Sequence, residues 1–483
     1  MPEKHNLIPV IGLELHIQPD LERKAFCRCI SDFSYPPYSN TCPVCMGYPG
    51  AMPVLNPKVA DSAIKLALAL KCEINLTSSF DRKHYFYHDL PKGYQITQYR
   101  KPIASGGYLE ISGKKIELDR IHIEEDSAKS KYVSGKLDVD YNRAGVALLE
   151  LVTKPDISSA SEASDFLSEL ILVLDYLDIA RGDMENGTLR CDCNISLTSG
   201  ISNKNFGRIE IKNLNSLANL RKAIDYEIER QSYLIENRTK IDRETRSWDE
   251  SSSETRSLRS KEKIKDYRYM PEPDLTELLL DEEKITEIKK TLPELPNDKR
   301  LFLVNNLELI EEQARILVSD RSKLKFFEKV AAMSDTLNSS TIAHWIINDL
   351  SGILIGLGLS YEMIDLSADD FIELLEFVHN EKISATSAKI VLKKMLESGT
   401  GPEEIIKDND LWLSEDIDFN EDMKSLVAEN NKKAREFLSG HRRAAGFFIG
   451  RLMKISRGKA DPKKLSDFVE NYLKSHKHDI DSI

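Results

Sequence analysis

The segment VIGLELHIQ, residues 10–18, places a glutamate and a histidine two positions apart in an otherwise apolar run. Because successive side chains of an extended strand point to opposite faces, the segment separates into two sets. The apolar set is Ile11, Leu13, Leu15 and Ile17, and the other set is Gly12, Glu14, His16 and Gln18. The pattern predicts a strand with one core face and one polar face, which is either exposed to water or part of a functional site.

Four further segments carry charged residues in strand-like patterns. They are RIHIEEDSAK (120–129), GVALLELVTK (145–154), TLRCDCNIS (188–196) and GRIEIKNL (207–214). The second is apolar on both faces apart from Glu150, and an isolated buried glutamate is costly unless it is paired or binds a metal. If the strands pair into a mostly antiparallel sheet, their polar faces form one surface. This surface, which we term the polar floor, carries the candidate catalytic residues Glu14, His16, Glu124, Glu150, Asp192 and Glu210.

The chemistry of the polar floor suits a metal–nucleotide complex. Carboxylates with an imidazole are ligands for Mg²⁺ or Mn²⁺, and interspersed Arg and Lys suit phosphate oxygens. We therefore expect a Mg-ATP site, the alternative being a charge-balanced sheet face exposed to water. The sequence has no G-x-x-x-x-G-K-[ST], no G-x-G-x-x-G after a strand and no H-E-x-x-H, so the architecture must differ from a P-loop. The candidate phosphate-binding residues are Arg82, Lys83, Lys92, Arg190 and Lys212.

Two segments are interpreted as a cover for this site. FDRKHYFYHDLPKGYQITQY, residues 80–99, reads as a loop with basic residues for phosphate. Its aromatic residues Tyr85, Phe86 and Tyr87 either stack on a base or anchor the loop. RSKEKIKDYRYMPEPDL, residues 259–275, adds a second basic cluster that ends at two prolines.

Four of the seven cysteines have metal-ligand spacing. Cys27, Cys29, Cys42 and Cys45 form C-x-C-x12-C-x2-C around a loop rich in Pro, Ser and Tyr. Such a loop cannot pack a core of its own and gains order when four thiolates close it around one ion. The spacing predicts a structural zinc site without an open coordination position, the alternative being free thiols. The other three are predicted to be buried hydrophobes: Cys72, Cys191 and Cys193.

The 483-residue chain is too long for one ordinary core, so two or three domains are expected. Strand patterns dominate to about residue 275, apart from helical segments at 161–177 and 216–231, and the later pattern is helical. We expect an α+β fold with three parts. These are a mostly antiparallel catalytic domain (1–294) that contains the cysteine loop (27–45), an all-α helical domain (295–400) and a small helical tail (401–483).

No apolar run is long enough to cross a membrane, and the longest, GILIGLGL (352–359), is predicted to be a buried helix. The first residues show no signal core or Arg-rich leader, so we expect a cytoplasmic protein or a processed matrix protein. A net charge of −12 argues against a surface that binds nucleic acid throughout. Residues 432–464 nevertheless contain eleven Lys or Arg against two acidic residues. This basic segment, interleaved with Phe437, Phe447 and Phe448, is either a solvated helix face or a contact for a phosphate backbone.

The chain resembles the GatB/GatE family, which contains the B subunits of tRNA-dependent amidotransferases. The resemblance rests on long motifs that include IGLELHIQ, CPVCMGYPGAMPVLN, FDRKHYFYHDLPKGYQITQY, DYNRAGVALLELVTKPDI, MENGTLRCDCNIS and EIKNLNSLANLRKAIDYEIERQ. It is dense over residues 8–275 and looser over the helical remainder. The chain lacks room for the extra inserted domain of the archaeal branch, which favours the GatB branch.

The resemblance implies a glutamine-synthetase-like cradle domain, a helical domain and a YqeY-like tail that contacts tRNA. It implies a carbon–nitrogen ligase that uses Mg-ATP to phosphorylate the side-chain carboxylate of Glu-tRNA(Gln) or Asp-tRNA(Asn). Ammonia from the glutaminase subunit GatA, held with GatC, then displaces the phosphate. The implied Mg²⁺ ligands are His16, Glu124 and Glu150, and the four cysteines match the family's zinc knuckle. A transient complex with the mischarging aminoacyl-tRNA synthetase is also implied.

Two other hypotheses compete with this one. A noncatalytic, zinc-stabilised RNA-binding scaffold subunit would account for the basic segment without nucleotide chemistry. A free-standing ligase acting on a small acid would not need that segment. The chain shows no Ser-rich amidase constellation, so in the leading hypothesis ammonia must come from another chain. Titration of Mg-ATP with and without tRNA distinguishes the three.

Overall fold

The computed structural model describes residues 7–32, 34–199, 205–258, 267–413, 418–456, 460 and 462–482. The chain divides into two compact units, Met1–Pro296 and Asn297–Ile483. The predicted basic cluster at 259–266 lies outside the described residues, as do Arg457 and Lys459 of the basic segment.

The strands follow one another in the first unit. In chain order they are β1 (Leu7–Ile17), β2 (Glu73–Ile74), β3 (Thr77–Ser78), β4 (Asp81–His84), β5 (Tyr94–Thr97), β6 (Ala104–Ser105), β7 (Tyr108–Ile111), β8 (Lys114–Glu125), β9 (Lys129–Val133), β10 (Lys136–Asp140), β11 (Ala147–Thr153), β12 (Leu189–Ser199), β13 (Asn205–Leu214), β14 (Glu244–Asp249), β15 (Glu254–Ser257), β16 (Met270–Pro271) and β17 (Leu278–Leu279).

The helices begin between these strands and continue to the end of the chain. They are α1 (Pro57–Ala69), α2 (Ala160–Tyr176), α3 (Leu217–Glu236), α4 (Glu282–Lys290), α5 (Pro296–Leu307), α6 (Glu311–Val318), α7 (Arg321–Met333), α8 (Ser339–His344), α9 (Ser351–Leu357), α10 (Ala368–His379), α11 (Ala385–Ser398), α12 (Pro402–Asp408), α13 (Asn420–Glu429), α14 (Asn431–Leu438), α15 (Ala445–Ile455), α16 (Pro462–Ser475) and α17 (Lys477–Ser482). A π-helical turn, Trp345–Leu350, joins α8 to α9.

Ten strands of the described part of the first unit form one sheet. Their order is β15-β14-β13-β12-β1-β11-β8-β6-β2, with β7 paired to β8. Neighbouring strands are antiparallel, except that β13 runs parallel to β14. The mostly antiparallel sheet expected from the sequence is therefore present, and the segment VIGLELHIQ forms its central strand.

The sheet separates its two faces as the alternation of β1 predicts. Ile11, Leu13 and Leu15 are buried in a core that also receives the buried residues of α1, α2 and α3. The predicted helices α2 and α3 begin where Ser159 and Ser216 cap them, because each hydroxyl accepts a hydrogen bond from a backbone N–H of the first turn. With the helices on the apolar face, the opposite face of the central strands is left for the polar side chains.

The segment 80–99 differs from the predicted covering loop. Its ends are strands β4 and β5, which pair with each other, and β16 adds to them in the order β16-β4-β5. Only residues 85–93 form the connection, and Phe86 within it is 90% exposed. The strands are four residues long, which is the shortest length over which period-2 alternation is informative, and β4 (DRKH) has no apolar residue. The prediction of a loop over the whole segment was therefore wrong.

The second unit is helical throughout its described part. Helix α12 packs against α10 and α11, whereas a separate hydrophobic cluster is formed by residues from Phe419 to Ile480. The predicted buried helix 352–359 is a helix, α9, but Ile355 is 80% exposed and only Leu354 in α9 is buried. Among the described residues, no helix combines the length and apolar character needed to cross a membrane.

Candidate functional site

The register of the large sheet brings the residues of the polar floor together. On β1, Glu14 is paired with Asp192 of β12, and His16 is paired with Glu150 of β11. On its other side, Glu150 is paired with His122 of β8. Farther along the floor, Asn194 of β12 is paired with Glu210 of β13. The candidate catalytic residues predicted from alternation therefore occupy one continuous face of four adjacent strands and their neighbour β13.

Two buried carboxylates and two histidines form the centre of this face. The Nε2 atom of His122 lies 3.2 Å from Glu124 Oε1 and 3.2 Å from Glu150 Oε2. His16 Nε2 lies 3.5 Å from the same oxygen of Glu150. Potential ligand atoms within 4.8 Å of one another form two sets that share Glu150: Glu14, His16 and Glu150, and His122, Glu124 and Glu150. Glu150 therefore lies between the two histidines.

The carboxylates at this centre are held in their ionised form. Burial would raise the pKa of Glu150, but the charge of His122 and hydrogen bonds from His122 and His16 hold it well below the usual range. Burial and Glu150 would raise the pKa of Glu124, but Lys83 and His122 lower it. Burial would lower the pKa of His122, whereas Glu150 and Glu124 raise it to about 9. Ionised carboxylate oxygens with imidazoles are a donor set that fits Mg²⁺ or Mn²⁺.

Strand β5 fixes the orientation of Glu124. Gln95 Nε2 donates to Glu124 Oε2 at 2.9 Å, and Thr97 Oγ1 donates to Glu124 Oε1 at 2.6 Å. The adjacent Glu125 is directed away from this centre, since it accepts hydrogen bonds from Lys92 Nζ and from the backbone N–H of Ile96. Glu124, rather than Glu125, therefore faces the polar floor.

The structure separates the five predicted phosphate-binding residues into three groups. Arg82 is committed to a buried pair, with Nη2 at 2.8 Å from Glu272 and 3.0 Å from Asp274. Lys92 is likewise paired with Glu125. Lys83 interacts with the charges of the centre: burial would lower the pKa of its ammonium group, but Glu124 and Glu150 raise it.

Arg190 and Lys212 remain accessible from the polar floor. Arg190 is 3.1 Å from Asp126 with its side chain 37% exposed. Lys212 pairs with Asp192, lies 3.0 Å from Glu210 and is 40% exposed. Both side chains are exposed enough to contact an incoming anion, and buried Asp126 would keep Arg143 as a partner if Arg190 moved.

A second acidic group surrounds Lys212. Burial raises the pKa of Glu14, as do the nearby charges of Glu150 and Asp192, while His16 and Lys212 oppose the change. Burial would raise the pKa of Glu210, but Lys212 lowers it. Glu14 therefore interacts electrostatically with Glu150 of the centre. The positive charge of Lys212 partly neutralises Glu14, Asp192 and Glu210.

The four predicted zinc ligands are brought into one cluster. The sulfur atoms of Cys27, Cys29, Cys42 and Cys45 all lie within 4.8 Å of one another. Cys42 and Cys45 Sγ are 3.8 Å apart, which matches the separation of about 3.8 Å that tetrahedral Zn–S bonds of about 2.3 Å require. A hydrogen bond from Cys27, together with the N–H of Cys42 and the charge of Lys24, lowers the pKa of Cys45 to about 5. The donor set fits a structural zinc ion, and we term residues 27–47 the knuckle.

The predicted core cysteines are confirmed. Cys72, Cys191 and Cys193 are all buried, and burial is the main cause that raises the pKa of each thiol. These thiols act as small hydrophobic groups rather than as ligands.

Sequence reasoning missed three residues at the centre: His122, Gln95 and Thr97. His122 stands in phase with Glu124 on its strand, so alternation gave a usable signal, but the implied ligand set contained only His16 as an imidazole. Gln95 and Thr97 lie on β5, which was interpreted as loop. Their contact with Glu124 depends on pairing across the fold, so the segment 80–99 alone carries no signal for it.

Comparison with protein families assigns both parts of the chain. The family model described as "GatB/GatE catalytic domain" matches residues 9–286. The chain belongs to the GatB/GatE family. A second model, described as "GatB domain", matches residues 325–473 in the helical unit. All residues of the polar floor and the knuckle fall within the GatB/GatE catalytic-domain match.

Curated relatives in the GatB/GatE family are similar over nearly their whole length. One from Persephonella marina is 40% identical over 471 residues, which cover 96% of this chain and 99% of the relative. Others from Crocosphaera subtropica and Thermotoga petrophila are 41% and 40% identical and cover 98% and 96% of this chain, with 99% and 98% of their own lengths. All three relatives are named as the B subunit of an aspartyl/glutamyl-tRNA(Asn/Gln) amidotransferase.

Proposed function

We propose that this chain is the B subunit of a tRNA-dependent amidotransferase and that its polar floor phosphorylates the side-chain carboxylate of Glu-tRNA(Gln), Asp-tRNA(Asn) or both. Its glutamine-synthetase-like catalytic domain would then present the acyl phosphate to ammonia. The observation that carries this proposal is the buried pair Glu124 and Glu150, each with a carboxylate oxygen 3.2 Å from His122 Nε2. A solvated sheet face would not bury two carboxylates beside each other.

The reaction requires activation because a carboxylate is a poor acyl donor. Phosphoryl transfer from ATP gives the carbonyl carbon a phosphate leaving group, which ammonia displaces with release of inorganic phosphate. Bound Mg²⁺ would neutralise phosphate charge and align the reacting groups. Glu124 and Glu150 would hold it, with His16 or His122 as the imidazole ligand once metal binding displaces the proton of that histidine.

Residues around these ligands supply binding and charge. Lys83 brings a cation to the carboxylate centre, and Arg190 and Lys212 are exposed enough to contact phosphate oxygens. Gln95 and Thr97 keep Glu124 oriented. Arg82 and Lys92, which are occupied by buried carboxylates, support the fold of the site instead of binding phosphate.

The reaction needs partners because acyl phosphates hydrolyse in water. A closed supply of ammonia through protein prevents that loss, and we assign this role to a GatA glutaminase held with GatC. Glutamine would be the amido donor. A transient complex with the mischarging synthetase and a cytoplasmic location, where translation takes place, complete the proposal.

The proposal is tested by reconstituting the full chain with GatA and GatC. γ-Phosphate release and amide formation are followed with Glu-tRNA(Gln), Asp-tRNA(Asn) or uncharged tRNA. We expect turnover only with a charged tRNA, and the productive tRNA identifies the substrate. Turnover with free glutamate or aspartate would instead indicate a free-standing small-acid ligase.

We propose that the knuckle holds zinc. Metal analysis of the purified chain should find about one zinc ion per chain, and Cys42→Ser should reduce this to near zero and lower the thermal unfolding temperature, because four thiolates close the loop. Cys72→Ala is the matched control, since it alters a buried cysteine of the core and should retain zinc. Full zinc content in Cys42→Ser would contradict the assignment.

We propose that the tail, residues 401–483, contacts tRNA through its basic segment. Nine of its basic residues are described and exposed: Lys432, Lys433, Arg435, Arg442, Arg443, Arg451, Lys454, Lys463 and Lys464. Phe437 and Phe448 are buried in the tail core. Lys433 Nζ and Arg451 Cζ lie 3.9 Å and 5.6 Å from the ring centre of Phe447, which forms a cationic patch beside an aromatic ring. Phosphate contact fits this arrangement.

Replacing Lys433 and Arg451 together with Ala should weaken tRNA binding. Because two phosphate contacts are lost, the slope of log K against log salt should become shallower by about 1.4–1.8. Fluorescence anisotropy across a salt series measures both effects. The control is Lys389→Ala/Lys393→Ala, which removes two exposed cations from α11. An equal effect of both double variants would show that general charge, rather than this patch, binds tRNA.

The exposed basic segment also favours a second candidate, a noncatalytic RNA-binding scaffold subunit. This candidate predicts tight tRNA binding without metal-dependent ATP turnover. The reconstitution described above separates it from the catalytic proposal.

A further inference from the structure

Gly145, which precedes strand β11, lies between the knuckle and the end of β8, the strand that carries Glu124. Gly145 has φ +84°, and a Cβ added there would lie 3.2 Å from Cys45 Cβ and 3.8 Å from Glu125 Oε2. The backbone continues this contact, since Ala25 N–H donates to Gly145 O and Gly145 N–H donates to Asp126 O, both at 2.9 Å. A zinc-ligand cysteine and the end of β8 are therefore separated by a single glycine.

A second contact joins the knuckle to Lys92. Gly47 has φ +68°, and a Cβ added there would lie 2.5 Å from Lys92 Cγ and 3.1 Å from Lys92 Cα. The side chains of Lys92 and Glu125 are 9% and 4% exposed. The knuckle thus covers the Lys92–Glu125 ion pair, with Gly47 on the lysine and Gly145 near the glutamate.

The ion pair in turn lies beside the hydrogen bonds that orient Glu124. Glu125 Oε1 accepts from Ile96 N–H at 2.9 Å, and Gln95 Nε2 donates to Glu125 O at 2.8 Å. These bonds hold β5 against the end of β8. The same Gln95 nitrogen, with Thr97, binds Glu124. A displacement of Lys92 or Glu125 would therefore move the groups that orient Glu124.

The knuckle is also fastened to the turn before Gly145. Asn142 is buried, and its Nδ2 donates to Pro36 O at 2.8 Å and Tyr35 O at 3.3 Å. Its Oδ1 accepts from Asn40 N–H at 2.9 Å. Three hydrogen bonds of one side chain thus fasten the loop between the cysteine pairs to the turn that contains Asn142.

We propose that Lys92 and Glu125 are positioning residues through which the knuckle holds Glu124 in its metal-binding orientation. The inference rests on the proposed function, since it takes Glu124 as a ligand of the divalent cation. Residues behind a metal ligand fix its orientation, and their loss typically weakens metal binding by about 10–100-fold. Zinc in the knuckle then acts on the catalytic site without contacting substrate.

The test measures Mn²⁺ binding to the nucleotide-free full chain by electron paramagnetic resonance, with zinc content determined on the same samples. Lys92→Met should weaken Mn²⁺ binding by about 10–100-fold while zinc is retained, and Lys92→Arg should restore most of the affinity because it keeps the charge. Zinc-free protein, freed of chelator by dialysis, should show the same weakening. Circular dichroism and thermal unfolding confirm that each sample is folded.

A pair of buried asparagines provides a second route if Lys92→Met fails to fold. Asn142→Ala releases the knuckle and should weaken Mn²⁺ binding in the same direction. Asn219→Ala is the matched control, because Asn219 is buried on α3 and bonds Glu250, and it should leave Mn²⁺ binding unchanged.

The outcomes distinguish the inference from the function on which it rests. Wild-type affinity for Mn²⁺ in zinc-free protein and in Lys92→Met or Asn142→Ala would overturn the inference and leave the metal site intact. A raised KM for ATP in Lys92→Met with unchanged Mn²⁺ affinity would also overturn it, since Lys92 would then bind phosphate directly. Absence of specific Mn²⁺ binding in the wild type would overturn the proposed function itself.

Discussion

Replacing Glu150 with Gln should reduce ATP-dependent amide formation by on the order of 10³-fold or more. The amide keeps the size of the side chain but removes a charge that both His16 and His122 contact. Glu150 belongs to both potential ligand sets. A metal ion held by either set would therefore lose one carboxylate ligand. Glu124→Gln should have a similar effect, because it removes the other ionised carboxylate of the centre.

The measurement is single-turnover formation of Gln-tRNA or Asn-tRNA by the reconstituted complex, with tRNA affinity determined separately. tRNA affinity should be unchanged, since the basic segment lies in the other unit. Glu117→Gln is the control, because Glu117 lies on the same strand β8 as Glu124 but pairs with Lys154 at the exposed surface. Wild-type turnover in Glu150→Gln would exclude Glu150 as a metal ligand and overturn the assignment of the catalytic site.

The central sheet could be predicted because its strands are long. β1, β8 and β12 span eleven, twelve and eleven residues, which is enough for period-2 alternation to assign each side chain to a face. Glu14, Asp192 and Glu210 were placed correctly on the polar face for this reason. The same alternation places His122 in phase with Glu124, but the candidate set took only one imidazole, His16, and left His122 out.

The partners of individual cations could not be predicted. Arg82 pairs with Glu272, which is 190 positions away in the sequence, and the Lys92–Glu125 pair depends on β5 packing against β8. Local sequence marks a basic residue as available for phosphate but gives no information about a distant carboxylate. Four of the five candidate phosphate ligands therefore have carboxylate partners that only the fold shows, and Arg82 and Lys92 are the least exposed of these four.

A second buried charge network, away from the metal ligands, leads to a prediction about stability. Glu227 on α3 is fully buried and accepts two hydrogen bonds of 2.9 Å from Arg230. It also lies 3.2 Å from Arg246 Nε of β14 and accepts a hydrogen bond from Thr255 of β15. Glu227→Ala should destabilise this part of the sheet by about 3–5 kcal/mol, because both arginines lose a buried counter-charge.

Hydrogen exchange of peptides from α3, β14 and β15 measures the effect where it arises. A loss of about 3–5 kcal/mol corresponds to protection lower by on the order of 10²–10⁴-fold when exchange proceeds through opening of this region. Glu229→Ala is the matched control, since Glu229 is exposed on the same helix and should change stability by at most about 0.5 kcal/mol. Because β14 and β15 form the edge beyond β13, loosening confined to them would leave Glu124 and Glu150 in place. Loss of Mn²⁺ binding in Glu227→Ala would show instead that this edge and the metal centre form one cooperative unit.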